Sequence, residues 1–169
     1  AAGTHPLRVE SSGAWFRFSG FVIRDHPGTS GGNVDIYGHH LEVSWNEIRL
    51  GRDQGVYSDE GSHHAQIVNN RIHDNGEGVI HQSHGIYLQG SDHLVADNVI
   101  YDQPFGFGIQ IYPENEGTTV VSNTVVGSGH SGIVVGGDGG VGDITIRNNV
   151  IAFNARYGVQ MDSDCPTGA

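Results

Sequence analysis

The sequence predicts an all-β protein built as a parallel β-helix, a solenoid in which every coil supplies two or three short strands. Two repeated sequence markers predict this fold. The first is a short β-branched strand that recurs along the chain, and the second is an Asn-containing strand motif that follows each copy about a dozen residues later. Composition supports the same class, since 27 of the 169 residues are glycine and each glycine in a helix interior costs about 1 kcal/mol. We therefore expect residues 1–169 to form a single β-helix domain of about six or seven coils.

The first marker defines where each coil begins. It reads VDIYG, IYLQG or IVVGG, depending on the coil, and it follows a glycine or another turn residue. The coils are expected to start at intervals of 22–30 residues, near Leu7, Val34, Val56, Ile86, Ile109, Ile133 and Val159. Each unit is too short to bury a core of its own, so successive coils must stack about 4.8 Å apart.

Stacking places the apolar side chains of successive coils in three inward columns. Two columns come from the first marker, and the third comes from the second marker. Their members are Val34, Val56, Ile86, Ile109, Ile133 and Val159; Ile36, Ser58, Leu88, Ile111, Val135 and Met161; and Ile48, Ile72, Ile100, Val125 and Ile151. Ser58 is the one polar interruption.

The second marker carries an Asn at intervals of 24–28 residues. Its members are Asn46, Asn70, Asn98, Asn123 and Asn149, and an earlier copy, FRFSGFVI, has Gly20 in the same position. An Asn column at a tight turn fits an internal ladder, in which each side-chain amide bonds to the next coil. We therefore interpret these asparagines as structural.

Charge and hydropathy disfavour two classes of partner. The formal net charge is −11, with 8 basic and 19 acidic residues, whereas nucleic-acid binding needs a basic face. The same charge disfavours anionic membrane surfaces, and no apolar run approaches the roughly 18 residues of a membrane span. We expect neither a nucleic acid nor a membrane as a partner.

Coils of this length with Asn at the turns resemble the right-handed parallel β-helix repeat superfamily. The resemblance covers about residues 7–161, and the strict hexapeptide period of left-handed β-helices is missing. Superfamily members include pectate-lyase-like, alginate-lyase-like, mannuronan-epimerase-like and pectin-hydrolase-like proteins. The resemblance implies a secreted or periplasmic carbohydrate-active protein, whose chemistry has to be argued from the site rather than from the fold.

The ends of the sequence differ from those of a capped β-helix. Members of the superfamily commonly begin with a capping helix, whereas residues 1–6 read AAGTHP and the chain stops soon after the strand that begins at Val159. An uncapped end exposes a strand edge. We therefore expect a piece of a longer protein, or an assembly in which self-association or a further chain covers the ends, and Cys165 would then find its partner outside this sequence.

Outward-facing residues of the first strands form a polar and aromatic surface. Strand residues alternate between the two faces, so the second and fourth residue of each first strand point outward. Tyrosine offers a sugar both a ring and a hydroxyl, so we predict that a polysaccharide binds here. The predicted binding residues are Asp35, Tyr37, Tyr57, Gln89, Gln110 and Tyr112. The alternative is a solvated sheet face, on which tyrosine is favoured by β-propensity alone.

Catalysis on a polysaccharide would need an acid or a base beside this surface. His84 lies two residues before Ile86, and SHG followed by IYL resembles, loosely, the GHG motif of pectin hydrolases, whose histidine lies in the active site. We therefore predict His84, Asp59 and Tyr87 as catalytic residues. The other motifs of the pectin hydrolases are missing, which leaves elimination, epimerisation and hydrolysis open. A non-catalytic glycan-binding or structural module is the competing class.

No motif fixes a cofactor, and a bound Ca²⁺ is one alternative. A net charge of −11 would repel an acidic polysaccharide unless a metal ion or an arginine intervened. Ca²⁺ on Asp59, Glu60 and Asp35, or Arg52, would neutralise the carboxylate of such a substrate.

A transition metal is the other alternative. Histidines occur in two adjacent pairs, His39-His40 and His63-His64. Counting back from Asn46 and Asn70 gives His40 and His64 equivalent positions in consecutive coils. Side chains one coil apart are close enough to share a metal, so we predict His40 and His64 as ligands. Stacked, solvated histidines at a turn are the competing interpretation.

Overall fold

A computed structural model describes residues 5–77, 82–137 and 140–162 of the chain. These residues form twenty β-strands and no helix, and the strands lie in three sheets that the chain visits in turn. Parallel pairing between successive coils builds a β-helix of about six turns, which confirms the predicted all-β parallel β-helix. Within these ranges, no helix has the length and apolar character needed to cross a membrane.

The three sheets follow one another around each coil. The first sheet, in spatial order, consists of β1 (Leu7–Val9), β4 (Gly32–Ile36), β7 (Gln54–Ser58), β10 (Ile86–Ser91), β13 (Ile109–Glu116), β16 (Ile133–Gly136) and β20 (Val159–Asp162), with β17 (Gly140–Gly142) also paired to β13. The second consists of β2 (Arg17–Ser19), β5 (Glu42–Ser44), β8 (Gln66–Val68), β11 (Leu94–Ala96), β14 (Thr119–Val121) and β18 (Thr145–Arg147). The third consists of β3 (Val22–Arg24), β6 (Glu47–Arg49), β9 (Arg71–His73), β12 (Val99–Tyr101), β15 (Thr124–Val126) and β19 (Val150–Ala152).

The predicted apolar columns fill the interior of the coils. Ile86 pairs in register with Val56 on one side and with Ile109 on the other, and all three are fully buried. Burying a side chain of this size contributes about 1.5–3 kcal/mol. Ser58, the polar interruption, donates to Gln89 O at 3.0 Å and accepts from Gln89 N–H at 3.1 Å. Its hydroxyl is therefore satisfied inside the core.

The asparagines form the predicted ladder at the turn between the second and third sheets. The side-chain amide of Asn98 donates to Ile67 O at 2.7 Å and to Asn123 Oδ1 at 2.9 Å. Its Oδ1 accepts from the backbone N–H of Asn70 at 2.8 Å and from the side-chain amide of Asn70 at 3.0 Å. Asn98 thus joins its own coil to both neighbouring coils.

The first coil departs from the predicted alignment by one residue. Phe21 rather than Gly20 occupies the ladder position, because Phe21 N–H donates to Asn46 Oδ1 at 3.0 Å. Gly20 instead has a φ of 82° and corresponds to Trp45, whose φ is 56°. The prediction that Gly20 takes the Asn position is therefore wrong. This coil has no Asn to mark the position, and Gly20 occupies the turn position one residue before it.

A left-handed backbone conformation recurs at the turn that joins the first and second sheets. The angle φ is 63° at Trp15, 54° at His40 and at His64, and 55° at Asp92. Among non-glycine residues, Asn, Asp and His adopt positive φ most often. The N–H of His40 donates to His63 O in the next coil at 3.1 Å. The repeated turn therefore aligns its side chains in a column along the solenoid.

Candidate metal centre

Two adjacent histidine pairs occupy the same turn in consecutive coils. The histidine cluster is the set of four residues His39, His40, His63 and His64. The first residues of the two pairs form a parallel backbone bridge, and the second residues share the left-handed conformation. Leu41 and Ala65, which follow the pairs, are buried. Each pair is therefore anchored by the apolar residue after it, while its own rings face outward.

The rings of the histidine cluster stack in two columns. The ring of His39 lies over that of His63, and the ring of His40 over that of His64, with centroids 4.7 Å apart and planes within 7° of parallel. Within each pair the two Nδ1 atoms share a hydrogen bond of 2.9 Å. Two nitrogen ligands about 2.0 Å from one ion have this separation when they subtend close to a right angle. The spacing within a pair therefore fits a shared ion.

Three of these imidazoles converge. Among the described residues, His39, His40 and His63 are the one group whose candidate ligand atoms all lie within 4.8 Å of one another. These three side chains are half-buried, whereas His64 is exposed. An open groove of about 310 Å³ lies beside His40 and His64. The groove gives an ion a route to the rings, which a metal site requires.

The protonation state of His40 also suits a ligand. Burial lowers the pKa of His40, and the nearby imidazoles of His64, His39 and His63 lower it further. Neutral imidazole is the form that binds a metal, and it is a suitable donor for copper, zinc, iron and nickel. The predicted stacking of His40 on His64 is confirmed, and their role as ligands stays a prediction.

Two further residues lie at the ends of the histidine columns. Trp15 occupies the same left-handed turn position as His40, one coil earlier. Its ring stacks on the His40 ring, with centroids 4.2 Å apart and planes 23° from parallel. At the other end, Asp92 Oδ2 lies 4.0 Å from His64 Nδ1. The cluster therefore has an aromatic neighbour on one side and a carboxylate on the other.

Sequence reasoning misses Trp15 because it aligns Gly20, instead of Phe21, with Asn46. Counted back from Phe21, Trp15 has the same offset that His40 has from Asn46. The signal that finds this residue is therefore the corrected alignment of the first coil.

His93 shows that a histidine near the cluster can be purely structural. It follows Asp92 and is buried. Its Nδ1 accepts from Ala65 N–H at 3.1 Å, and its Nε2 donates to Gln89 O at 2.8 Å. Burial lowers the pKa of His93 to about 4. Both ring nitrogens are engaged with backbone groups, so neither is open to a ligand.

Tyr57 and Tyr87 pair in register on the first sheet, and Tyr37, two residues beyond the strand partner of Tyr57, contacts Tyr57 diagonally. Tyr57 stacks on Tyr87 with centroids 5.7 Å apart and contacts Tyr37 at 6.0 Å. The Tyr57 hydroxyl lies 3.3 Å from Asp59 Oδ1 and 3.2 Å from Gln89 Oε1. Burial and the Asp59 charge raise the pKa of Tyr57. The structure thus brings five of the predicted site residues together, all half-buried.

Two predicted binding residues are covered rather than open. Asp35 is 0% exposed, because His5 pairs with its Oδ2 and Gly32 N–H donates to its Oδ1 at 2.7 Å. Burial raises the pKa of Asp35. Gln110 is also buried, whereas Tyr112 is half-buried. Strand alternation gives the direction of a side chain but not what covers it, so the sequence could not show that Asp35 and Gln110 are buried, and their role in binding stays a prediction.

His84 lies between two aromatic rings rather than at an open edge. It is 1% exposed and stacks on Tyr87 at 5.8 Å and on Phe107 at 5.0 Å. Its Nδ1 accepts from Phe107 N–H at 3.1 Å. His84 thus lies beside the outward face of the first strands, as expected, but it is buried there, and the catalytic roles of His84, Asp59 and Tyr87 stay predictions.

The carboxylates predicted for calcium are dispersed. Asp35 is buried against His5, Asp59 lies against the Tyr57 hydroxyl, and Glu60 is exposed. In the part of the chain that the structure describes, these carboxylates form no group with ligand atoms within 4.8 Å of one another. The geometry therefore favours the histidines over these three carboxylates as ligands.

Fold and site together define a class of protein, a parallel β-helix whose turns carry histidines suited to a transition metal. A family model described as NosD, periplasmic copper-binding protein, matches residues 19–165, which is most of the chain. The chain belongs to this family. A comparison with curated proteins gave no match. Because the family is periplasmic, the prediction of a secreted or periplasmic location is confirmed.

Proposed function

We propose that the chain binds copper and that the histidine cluster is its binding site. Membership of a periplasmic copper-binding family supports the choice of metal. The convergence of His39, His40 and His63 is the observation that carries the proposal. Imidazole nitrogens suit copper, and the Nδ1 separation of 2.9 Å in each pair fits two ligands of one ion.

The electrostatic surroundings support the binding of a cation. The carboxylate of Asp92 lies beside His64, and the whole chain carries a formal charge of −11. A negative potential raises the local concentration of cations and speeds their association. The lowered pKa of His40 keeps its ring in the neutral form that a metal ion needs.

Replacing both His39 and His63 with alanine is expected to weaken copper binding by about a hundredfold or more, since even partners outside the ligand shell cost about 10–100-fold. Isothermal titration calorimetry with a copper salt measures the affinity, and circular dichroism confirms that each variant is folded. His5→Ala, which removes an imidazole outside the cluster, is the matched control and is expected to bind copper like the wild type. Equal affinity in the double variant and the wild type, or no binding by the wild type, would contradict the proposal.

A polysaccharide-binding surface is a second candidate function, supported by the stacked tyrosines. Tyr37, Tyr57 and Tyr87 come from three successive coils, and their half-buried rings contact one another. Aromatic rings pack against apolar faces, while the Tyr hydroxyls and the polar atoms of Asp59 and Gln89 supply hydrogen bonds. An extended chain of sugars would lie across the coils along these three rings.

Tyr57→Ala is expected to weaken polysaccharide binding by about tenfold, because it removes the ring that contacts both Tyr37 and Tyr87. Affinity electrophoresis through gels that contain neutral or uronate polysaccharides measures the retardation. Tyr157→Ala, at an exposed tyrosine near the last strand, is the control and should migrate like the wild type. Identical migration of Tyr57→Ala and the wild type in every gel would count against the surface. Analysis of the incubated polysaccharides for unsaturated or new reducing ends distinguishes elimination from hydrolysis.

A further inference from the structure

We propose that the histidine cluster selects Cu²⁺ over Cu⁺, with Asp92 as a carboxylate ligand at one end and Trp15 as an aromatic cap at the other. This inference rests on the proposed function of copper binding. It adds the oxidation state of the ion and two residues of the site.

The donor atoms around the cluster carry the choice of oxidation state. His39, His40 and His63 bring imidazole nitrogens together, and the Asp92 carboxylate lies next to that group, 4.0 Å from His64 Nδ1. Soft thiolate and thioether sulfur atoms select Cu⁺, whereas nitrogen and oxygen donors suit Cu²⁺. The chain has one Met and one Cys. Met161 lies on β20, four strands beyond β7 in the first sheet, and Cys165 lies outside the described residues.

Asp92 is placed to add an oxygen ligand. It occupies the turn position of His40 and His64 one coil further on, with a φ of 55° against 54° for both histidines. Its Oδ2 lies 4.0 Å from His64 Nδ1, and both side chains are about half exposed. Exposed side chains can rotate to close this gap around an ion. A carboxylate also favours the more highly charged ion, because Coulomb attraction scales with the charge.

Trp15 covers the opposite end of the column. It is 77% exposed, yet its ring stacks on His40 at 4.2 Å. One face of the His40 imidazole is therefore shielded from water. Trp45, the second of the two tryptophans in the chain, is 67% exposed and belongs to the turn between the second and third sheets. The emission of Trp15 thus reports on the cluster, and Trp45 provides an internal control.

Fluorescence of two single-tryptophan variants tests the location of the ion. Trp45→Phe leaves Trp15 as the emitter, and Trp15→Phe leaves Trp45. One equivalent of paramagnetic Cu²⁺ is expected to quench more than half of the emission of Trp45→Phe and to change that of Trp15→Phe only slightly. Diamagnetic Zn²⁺ is expected to leave both emissions nearly unchanged while competing with Cu²⁺ for the site.

A second measurement tests the carboxylate and the oxidation state. Asp92→Asn is expected to lower the Cu²⁺ affinity by about tenfold, as measured by electron paramagnetic resonance against a competing chelator. Asp97→Asn is the matched control, because Asp97 is exposed and has a φ of 56° in the next turn of the same coil. The Cu⁺ affinity is measured without oxygen against a chromogenic Cu⁺ chelator.

The outcomes separate this inference from the proposed function. Tighter binding of Cu⁺ than of Cu²⁺ would overturn the inference and leave copper binding in place. Binding of Cu²⁺ without quenching of Trp15, or with an unchanged affinity in Asp92→Asn, would also overturn it. Failure of the wild type to bind either ion would overturn both.

Discussion

Replacing Asn98 with alanine is expected to lower the free energy of unfolding by about 3–5 kcal/mol, because four interior polar groups each lose a partner. Ile67 O and Asn123 Oδ1 lose bonds of 2.7 and 2.9 Å, and the backbone N–H and side-chain amide of Asn70 lose bonds of 2.8 and 3.0 Å. A buried group left unsatisfied costs about 1–3 kcal/mol, and the smaller side chain also leaves a cavity. Urea unfolding followed by circular dichroism measures the change.

The control for this prediction lies in the same ladder. Asn149 accepts from the backbone N–H and the side-chain amide of Asn123 at 2.8 and 3.0 Å, but it is only half-buried. Water can replace its side chain, so Asn149→Ala is expected to cost about 1 kcal/mol. If Asn98→Ala and Asn149→Ala lose the same free energy of unfolding, burial does not increase the stability that an asparagine of the ladder contributes, and the prediction is wrong.

Replacing Asp53 with asparagine is expected to remove a large pH dependence of stability. Asp53 is buried, and its Oδ1 accepts from the Gln54 amide at 3.1 Å and from Ser83 Oγ at 3.4 Å. Burial raises the pKa of Asp53 from 3.8 to about 7. Between these values the native state keeps a proton that the unfolded state has released. The stability from this group is therefore complete below pH ~4 and is lost as the pH rises through ~7, by about 4 kcal/mol in total.

The asparagine variant stays neutral, so its free energy of unfolding is expected to rise relative to that of the wild type between about pH 5 and pH 8. Urea midpoints at the two pH values measure the difference. Asp102→Asn removes the same charge from an exposed turn and is expected to follow the wild type. A common pH profile for all three proteins would refute the assigned burial effect.

Repetition explains why the fold could be predicted from the sequence. In a solenoid each coil contacts only its neighbours, so a repeating motif gives the register directly. The predicted stacking of Val56, Ile86 and Ile109 in one column follows from this rule and is confirmed. The first coil could not be aligned correctly, because Phe21 takes the position that Asn holds in the later coils.

The candidate metal centre was predictable only where the repeat extends to it. His40 and His64 keep a constant offset from the asparagines, so their stacking could be deduced by counting. The contact of Trp15 with His40 depends on the alignment of the first coil. The partner of each Nδ1 atom depends on side-chain rotation, which no spacing in the sequence specifies.

Coverage of the tyrosine surface could not be predicted. His5 precedes the first strand and belongs to no repeat, yet it buries Asp35. Phe107 follows a turn in the next coil and packs on His84. Such contacts come from segments between the markers, whose length and path vary from coil to coil.

The backbone of the left-handed turn between the first and second sheets fixes the spacing between equivalent side chains in successive coils, and this spacing does not depend on the residue type. An indole, two imidazoles, a carboxylate and a glycine hydrogen all occupy this position, at Trp15, His40, His64, Asp92 and Gly117. A change of two adjacent residues is therefore enough to place a histidine pair on a coil, with no rebuilding of a pocket. If the proposed function is correct, the number of copper ions bound is expected to rise with the number of coils that carry such a pair.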